Sequence, residues 1–241
     1  MPDPIFDHPR LVGVYDAFEG ERHDLDAYEL LVAELGAERI LDVGCGTGVF
    51  ATRLAAAGKS VTGVDPAPGS IRFARDRPGG QQVNWIRGEL PDVHDSGFDL
   101  ATMTGNVAQA IVDPNKWDKT LRGVRRVLRP GGHLVFETRD PAQRAWELWT
   151  RELTDRTVDV EGVGPVRAWS EVVDLAGPLL TFRGSWVFPD GAVLTSHSTL
   201  RFRTRREIET SLRRHGYGLV DVRDAPDRPG LEWVFLAQAQ G

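Results

Sequence analysis

Apolar residues recur at helical spacing from residue 11 to residue 35, which predicts one or two helices at the start of the chain. The pattern then changes to short apolar or β-branched runs alternating with helical stretches. Residues 39–43 read as a strand and 49–57 as a helix stopped by Gly58. Residues 60–64 form a second strand ending at Asp65, and a helix follows through Ile71-Arg72-Phe73-Ala74. Strands are expected at 82–87 and 98–103, a helix at 116–128 stopped by Pro130-Gly131-Gly132, and a fifth strand at 133–138. Strands that alternate with helices imply an α/β fold with a parallel, doubly wound sheet.

After Pro141 the texture changes. Residues 142–152 have a helical pattern and carry Trp146 and Trp149. Residues 157–203 are β-branched, aromatic and alternating, with a hairpin turn at Phe188-Pro189-Asp190-Gly191-Ala192. This reads as an antiparallel β insertion. A helix at 205–215 and strands at 219–223 and 232–237 close the chain. The expected division is a main unit of residues 1–141 and 204–241, with residues 142–203 as an inserted lid or substrate lobe.

Composition narrows the class. A net charge of −6 argues against a broad phosphate-gripping surface, so nucleic acid is not the expected partner. The single cysteine, Cys45, rules out an intramolecular disulfide. The first residues, Met1-Pro2-Asp3-Pro4, have neither a basic region nor an apolar run, and no apolar stretch approaches the roughly 20 residues of a membrane span. A cytoplasmic protein with no membrane partner is expected. No His/Cys/Asp/Glu set has metal-ligand spacing, so no metal is expected.

The chemistry concentrates in Ile40-Leu41-Asp42-Val43-Gly44-Cys45-Gly46-Thr47-Gly48-Val49-Phe50, where a strand ends in an acid, passes three alternate glycines and becomes a helix. Such a turn brings backbone amides and a helix N-terminus close to a ligand. A dinucleotide fingerprint would need its third glycine at Val49, and a P-loop would need a Lys after Gly48; neither fits.

The turn resembles motif I of the class I S-adenosylmethionine-dependent methyltransferases, and three further motifs follow in order over about 140 residues. The resemblance implies a Rossmann-like sheet of order 3-2-1-4-5-7-6, its last strand antiparallel, with the β insertion after strand 5. It implies S-adenosyl-L-methionine as cofactor and S-adenosyl-L-homocysteine as product. Gly44, Gly46 and Gly48 would then form the surface under the methionine and ribose, with Cys45 a small packed residue among them. Asp42 would orient the amino group and Asp65 the ribose hydroxyls. Pro66 would pack on the adenine, and Glu89-Leu90 would face its exocyclic amine, with Glu where the family usually has Asp. Thr104, Gly105 and Asn106 would lie near the sulfonium. Tyr15 and Arg22 would close over the methionine end, Arg22 pairing with its carboxylate or else being a solvated surface residue.

Motifs of the nucleic-acid base and protein-arginine methyltransferases are absent, which points to a small-molecule acceptor methylated at nitrogen or oxygen. Gln109, Trp146, Trp149 and Trp186 are the candidate acceptor-pocket residues, although aromatic residues mostly build core. His197 is the candidate base, with a structural strand histidine as its alternative, and His133 is expected to be structural. Two rivals stay open: an RNA or protein methyltransferase using a basic patch of Arg201, Arg203, Arg205 and Arg206, and a non-catalytic cofactor-binding module. A homodimer is an allowed assembly.

Overall fold

The computed structural model describes residues 2–240. Its first 140 residues alternate as the pattern predicts. Helices α1 (Pro4–Asp7), α2 (Pro9–Glu19) and α3 (Asp26–Glu34) precede β1 (Arg39–Val43), α4 (Val49–Ala56), β2 (Ser60–Asp65), α5 (Pro68–Asp76) and β3 (Asn84–Arg87). Then come β4 (Phe98–Met103), α6 (Val107–Ala110), α7 (Pro114–Val127) and β5 (Leu128–Arg139). The insertion contains α8 (Arg151–Thr154) and strands β6 (Arg156–Val160), β7 (Gly164–Ala176), β8 (Leu179–Val187) and β9 (Val193–Arg201). The chain returns through α9 (Arg205–Arg214), β10 (Tyr217–Asp224) and β11 (Glu232–Ala239).

Seven strands form the main sheet in the order β10-β11-β5-β4-β1-β2-β3. Counted within this sheet the order is 3-2-1-4-5-7-6, and its last strand, β11, runs antiparallel to both neighbours. Side-chain alternation divides the core between the two faces. Leu41, Val43, Met103, Leu134 and Phe136 pack with Trp117, Leu121 and Val124 of α7 and Ile208 and Leu212 of α9. Ile40, Leu100 and Val135 point the other way, toward Leu31, Phe50, Leu54 and Ile71 of α3, α4 and α5. Helices on both faces bury a parallel sheet completely, which explains its near-continuous apolar strands.

Strands β6 to β9 form a separate antiparallel sheet. Val160, Val166 and Phe188 from that sheet pack against Ile5, Leu11 and Val14 of the N-terminal helices. The turn at residues 188–192 is closed by Phe188 N–H donating to the Ala192 carbonyl at 2.9 Å. Residues 142–152 differ from the single helix expected. They form two 3-10 turns, Pro141–Gln143 and Ala145–Leu148, before α8. Arg144 sits between them with φ +48°, a left-handed conformation that a continuous right-handed helix cannot accommodate. No helix among the described residues is long and apolar enough to cross a membrane.

Candidate functional site

Strands β1, β2 and β4 end side by side, and a cleft of about 700 Å³ opens at their carboxyl ends. Open α/β sheets bind ligands at this edge, where neighbouring crossovers leave in opposite directions. Of the residues expected to hold a cofactor, Tyr15, Arg22, Asp42, Gly44, Cys45, Gly46, Asp65, Pro66, Glu89, Leu90, Thr104 and Gly105 all line the cleft. Gly48 and Asn106 do not.

Two of the three glycines serve different purposes. Gly46 has φ +53° and no heavy atom within 4 Å of where a Cβ would sit, so it presents bare backbone to the cleft. Gly48 faces away from it: with φ +82°, its Cβ would come within 2.5 Å of the Trp85 ring. It is glycine because the Trp85 ring of β3 and Ala74 of α5 fill the space a side chain would need. The turn is clamped from outside by Asp16, which accepts from the Thr47 hydroxyl at 2.6 Å and from Arg77 at 3.2 Å.

Asp65 ends β2 and braces the same turn. One carboxylate oxygen accepts from Gly46 N–H at 3.0 Å and the other from Ala67 N–H at 2.8 Å. Each oxygen keeps a lone pair for a ligand hydroxyl. Among the described residues Asp42 accepts only from the Thr102 hydroxyl, at 3.0 Å, and it is 1% exposed. Burial, with a smaller push from Asp65, raises its pKa to about 7. Burial likewise keeps the Cys45 thiol protonated, so Cys45 is packing rather than a nucleophile.

S-adenosyl-L-methionine fits this cradle. The bare Gly46 and Gly105 backbone leaves room for a ligand to approach, and Asp65 has free acceptor capacity for a diol. Asp42 is a buried acid with no ion pair among the described residues, which suits a positively charged group. Two expected partners are already engaged in the structure. Arg22 forms a two-pronged pair with Asp24 (2.9 and 2.8 Å), and Glu89 pairs with Lys116 at 2.7 Å.

Asn106 turns inward instead of toward the cleft. Its φ of +61° aims its N–H at Glu137, which accepts at 2.9 Å. Glu137 also accepts from the Tyr28 hydroxyl. Burial and the neighbouring Glu232 raise its pKa to about 7. Glu137 therefore fixes the turn that carries Thr104 and Gly105. Sequence reasoning missed it; an acid closing the apolar run Leu134-Val135-Phe136 was the available signal.

The acceptor-side residues lie outside the cleft lining. Gln109 is fully buried and accepts from Arg139 at 3.1 Å. Trp146 meets Phe202 edge-on at 4.6 Å between centroids, Trp149 meets Phe182 at 5.3 Å, and Trp186 joins the N-terminal helix cluster. Their aromatic area goes into packing. His197 is exposed on β9, on the face opposite the buried Ser196 and Ser198, so its ring points away from the cleft. No metal-ligand cluster occurs among the described residues.

A glycine cradle on a 3-2-1-4-5-7-6 sheet, with one acid at each of two adjacent strand ends, defines the class of S-adenosylmethionine-binding folds. Comparison with known proteins agrees. Residues 40–132 match the family model described as a methyltransferase domain. A cypemycin N-terminal methyltransferase from Streptomyces is 34% identical over 54% of this chain and 58% of its own length. A fatty-acid O-methyltransferase from Mycolicibacterium smegmatis is 29% identical over 82% of this chain and 76% of its own. The solved sugar N-methyltransferase KedS8 from Streptoalloteichus shares the fold, with a TM-score of 0.77 at 19% identity over 95% of this chain and 93% of that one. Residues 40–132 thus match a methyltransferase domain, and the chain as a whole has the fold of the solved S-adenosylmethionine-dependent methyltransferases.

Proposed function

We propose that the protein is an enzyme moving a methyl group from S-adenosyl-L-methionine to a nitrogen or oxygen of a small molecule. The observation that carries this reading is the cleft itself. Asp42, Asp65 and the Gly46 backbone form its polar side, and Ile5, Phe6, Val107 and Ile111 give it an apolar side. The bound cofactor supplies a methyl group on a positively charged sulfur, so the protein mainly has to align an acceptor and exclude water. Asp65 would hold the ribose hydroxyls and Asp42 the amino group. Glu137, through Asn106, would hold the Thr104-Gly105 turn in place. An amine acceptor that is neutral at working pH needs no protein base; an alcohol would gain from one.

The β6–β9 sheet, within residues 142–203, acts as the lid over the acceptor in this reading. What supports it is the contact between Ile5 N–H and the Ser196 hydroxyl at 3.1 Å, which ties the sheet to the helix α1 that lines the cleft. The names of the relatives divide between nitrogen and oxygen acceptors. A lone buried thiol suits the reducing cytoplasm. The test is transfer of radiolabelled methyl into cell extract separated into small-molecule, RNA and protein fractions. Label in the small-molecule fraction is expected. Label confined to RNA or protein, or cofactor binding with no acceptor in any fraction, would overturn the reading.

A further inference from the structure

A second cavity of about 370 Å³ lies between α7 and α9, lined by Trp117, Asp118, Arg201, Arg203, Arg206 and Arg214 among others. Four arginines and only two carboxylates, Asp118 and Glu207, border it, on a chain whose overall balance is −6. Both carboxylates are already committed. Asp118 holds His215 at 3.0 Å, with Arg214 at 3.9 Å, and Glu207 caps α9 by accepting from Thr204 N–H at 2.7 Å.

The arginines are short of anions. Arg203 is 6% exposed, yet among the described residues its guanidinium meets only the Ala108 and Ile111 carbonyls, at 2.8 and 2.6 Å, and the Trp117 ring at 4.7 Å. Burial and then the charge of Arg201 pull its pKa down to about 10. Arg201 has a single long bond, 3.4 Å to the Val112 carbonyl. Arg206 makes no ion pair among the described residues. Arg205, its neighbour in sequence, is spent on Glu209 at 2.8 Å and does not line the groove. A buried guanidinium is normally paired, and an arginine's planar fork matches the oxygens of a phosphate.

We propose that this groove binds the phosphate group of a small ligand, a phosphomonoester or diphosphate, with Arg201, Arg203 and Arg206 as its anchors. The site is distinct from the cofactor cleft, since none of these arginines lines that cleft. It stands independently of the acceptor chosen there.

The test is calorimetric titration of the full chain with pyrophosphate at constant ionic strength, with chloride as control. Saturable binding is expected, weakened at least about tenfold when charge-assisted bonds are removed in Arg201→Gln/Arg206→Gln. Both side chains are at least partly exposed, so the double variant keeps its fold, which circular dichroism checks. Titration with adenosine diphosphate separates the two sources of such a phosphate. Affinity equal to pyrophosphate would mean that only the phosphates are gripped, as for a free effector; tighter binding would mean that an attached organic group also docks. No saturable binding of either probe, or a double variant that binds as the wild type does, would overturn the proposal.

Discussion

Asp42→Asn should stabilise the ligand-free protein at pH 8 far more than at pH 5. Asp42 is fully buried, and its pKa stands at about 7 against an ordinary 3.8. A carboxyl whose folded pKa is raised favours folding when protonated. That stability is present at low pH and lost as the pH rises through about 7. Asparagine keeps an oxygen for the Thr102 hydroxyl but does not titrate. Between pH 5 and pH 7 the wild type gives up two pH units of linkage, at about 1.36 kcal/mol each, or about 2.7 kcal/mol relative to the variant. Any fixed cost of the amide cancels, because the quantity compared is the change in the gap between the two proteins. In a chain of this size that corresponds to about 5–10 °C in the melting-temperature gap. Urea unfolding of both proteins at pH 5 and pH 8 measures it. An equal gap at both pH values would mean that Asp42 ionises in the folded chain as it does in water, and the argument from burial would fail. The same substitution should weaken cofactor binding, since it removes the charge that awaits a cation.

Asp65→Ala should cost roughly 1.5–3 kcal/mol of cofactor affinity, because it deletes charge-assisted acceptors and also releases the Gly46 and Ala67 amides. Calorimetry with S-adenosyl-L-homocysteine decides this, and unchanged affinity would take Asp65 out of the ribose site. Gly48→Ala should destabilise the fold by about 2–4 kcal/mol, combining a left-handed backbone with a collision at Trp85. A loss below about 1 kcal/mol in denaturant titration would show that β3 yields easily. His197→Ala should leave turnover within about twofold of wild type, since its ring faces away from the cleft. A drop of about a hundredfold at saturating acceptor would restore it as a base.

Much of the main sheet was legible because its signals are local. Strands β1 and β4 fall at the predicted residues 39–43 and 98–103, where apolar runs meet acids and glycines. The place of Asp42, Gly46 and Asp65 along the cleft was equally legible, because acids ending two strands and glycines at fixed offsets mark a turn that bares its backbone. Residues 142–152 were misread for a related reason. Their apolar spacing suits a helix, but Asp140 caps a short turn by accepting from Ala142 N–H. The Trp149 carbonyl is then taken by Val172 N–H of β7 at 3.1 Å. A partner distant in sequence set the local geometry. Glu137 escaped notice similarly, since its partners Tyr28 and Asn106 meet it only after the sheet forms.

The acceptor side was harder to read because the residues facing each way are alike. Thr195-Ser196-His197-Ser198-Thr199 is polar at every position, so no hydrophobic alternation says which face of β9 turns inward, and a shift of one residue exchanges the faces. The deciding contacts lie elsewhere in the sequence. Ile5 N–H reaches the Ser196 hydroxyl, and β9 pairs with β8 so that His197 stands opposite Arg183. With Ser196 committed to α1, Ser198 shares its buried face and His197 must take the other. The aromatic residues follow the same logic. Trp146, Trp149 and Trp186 each find a partner on the insertion or on the segments packed against it, and Leu194, on the same face of β9 as Ser196, joins the cluster that holds Trp186. Ser196 and Ser198 are both buried, the first bonded to α1, and no residue of β9 lines the cleft, so this face of β9 is spent on packing.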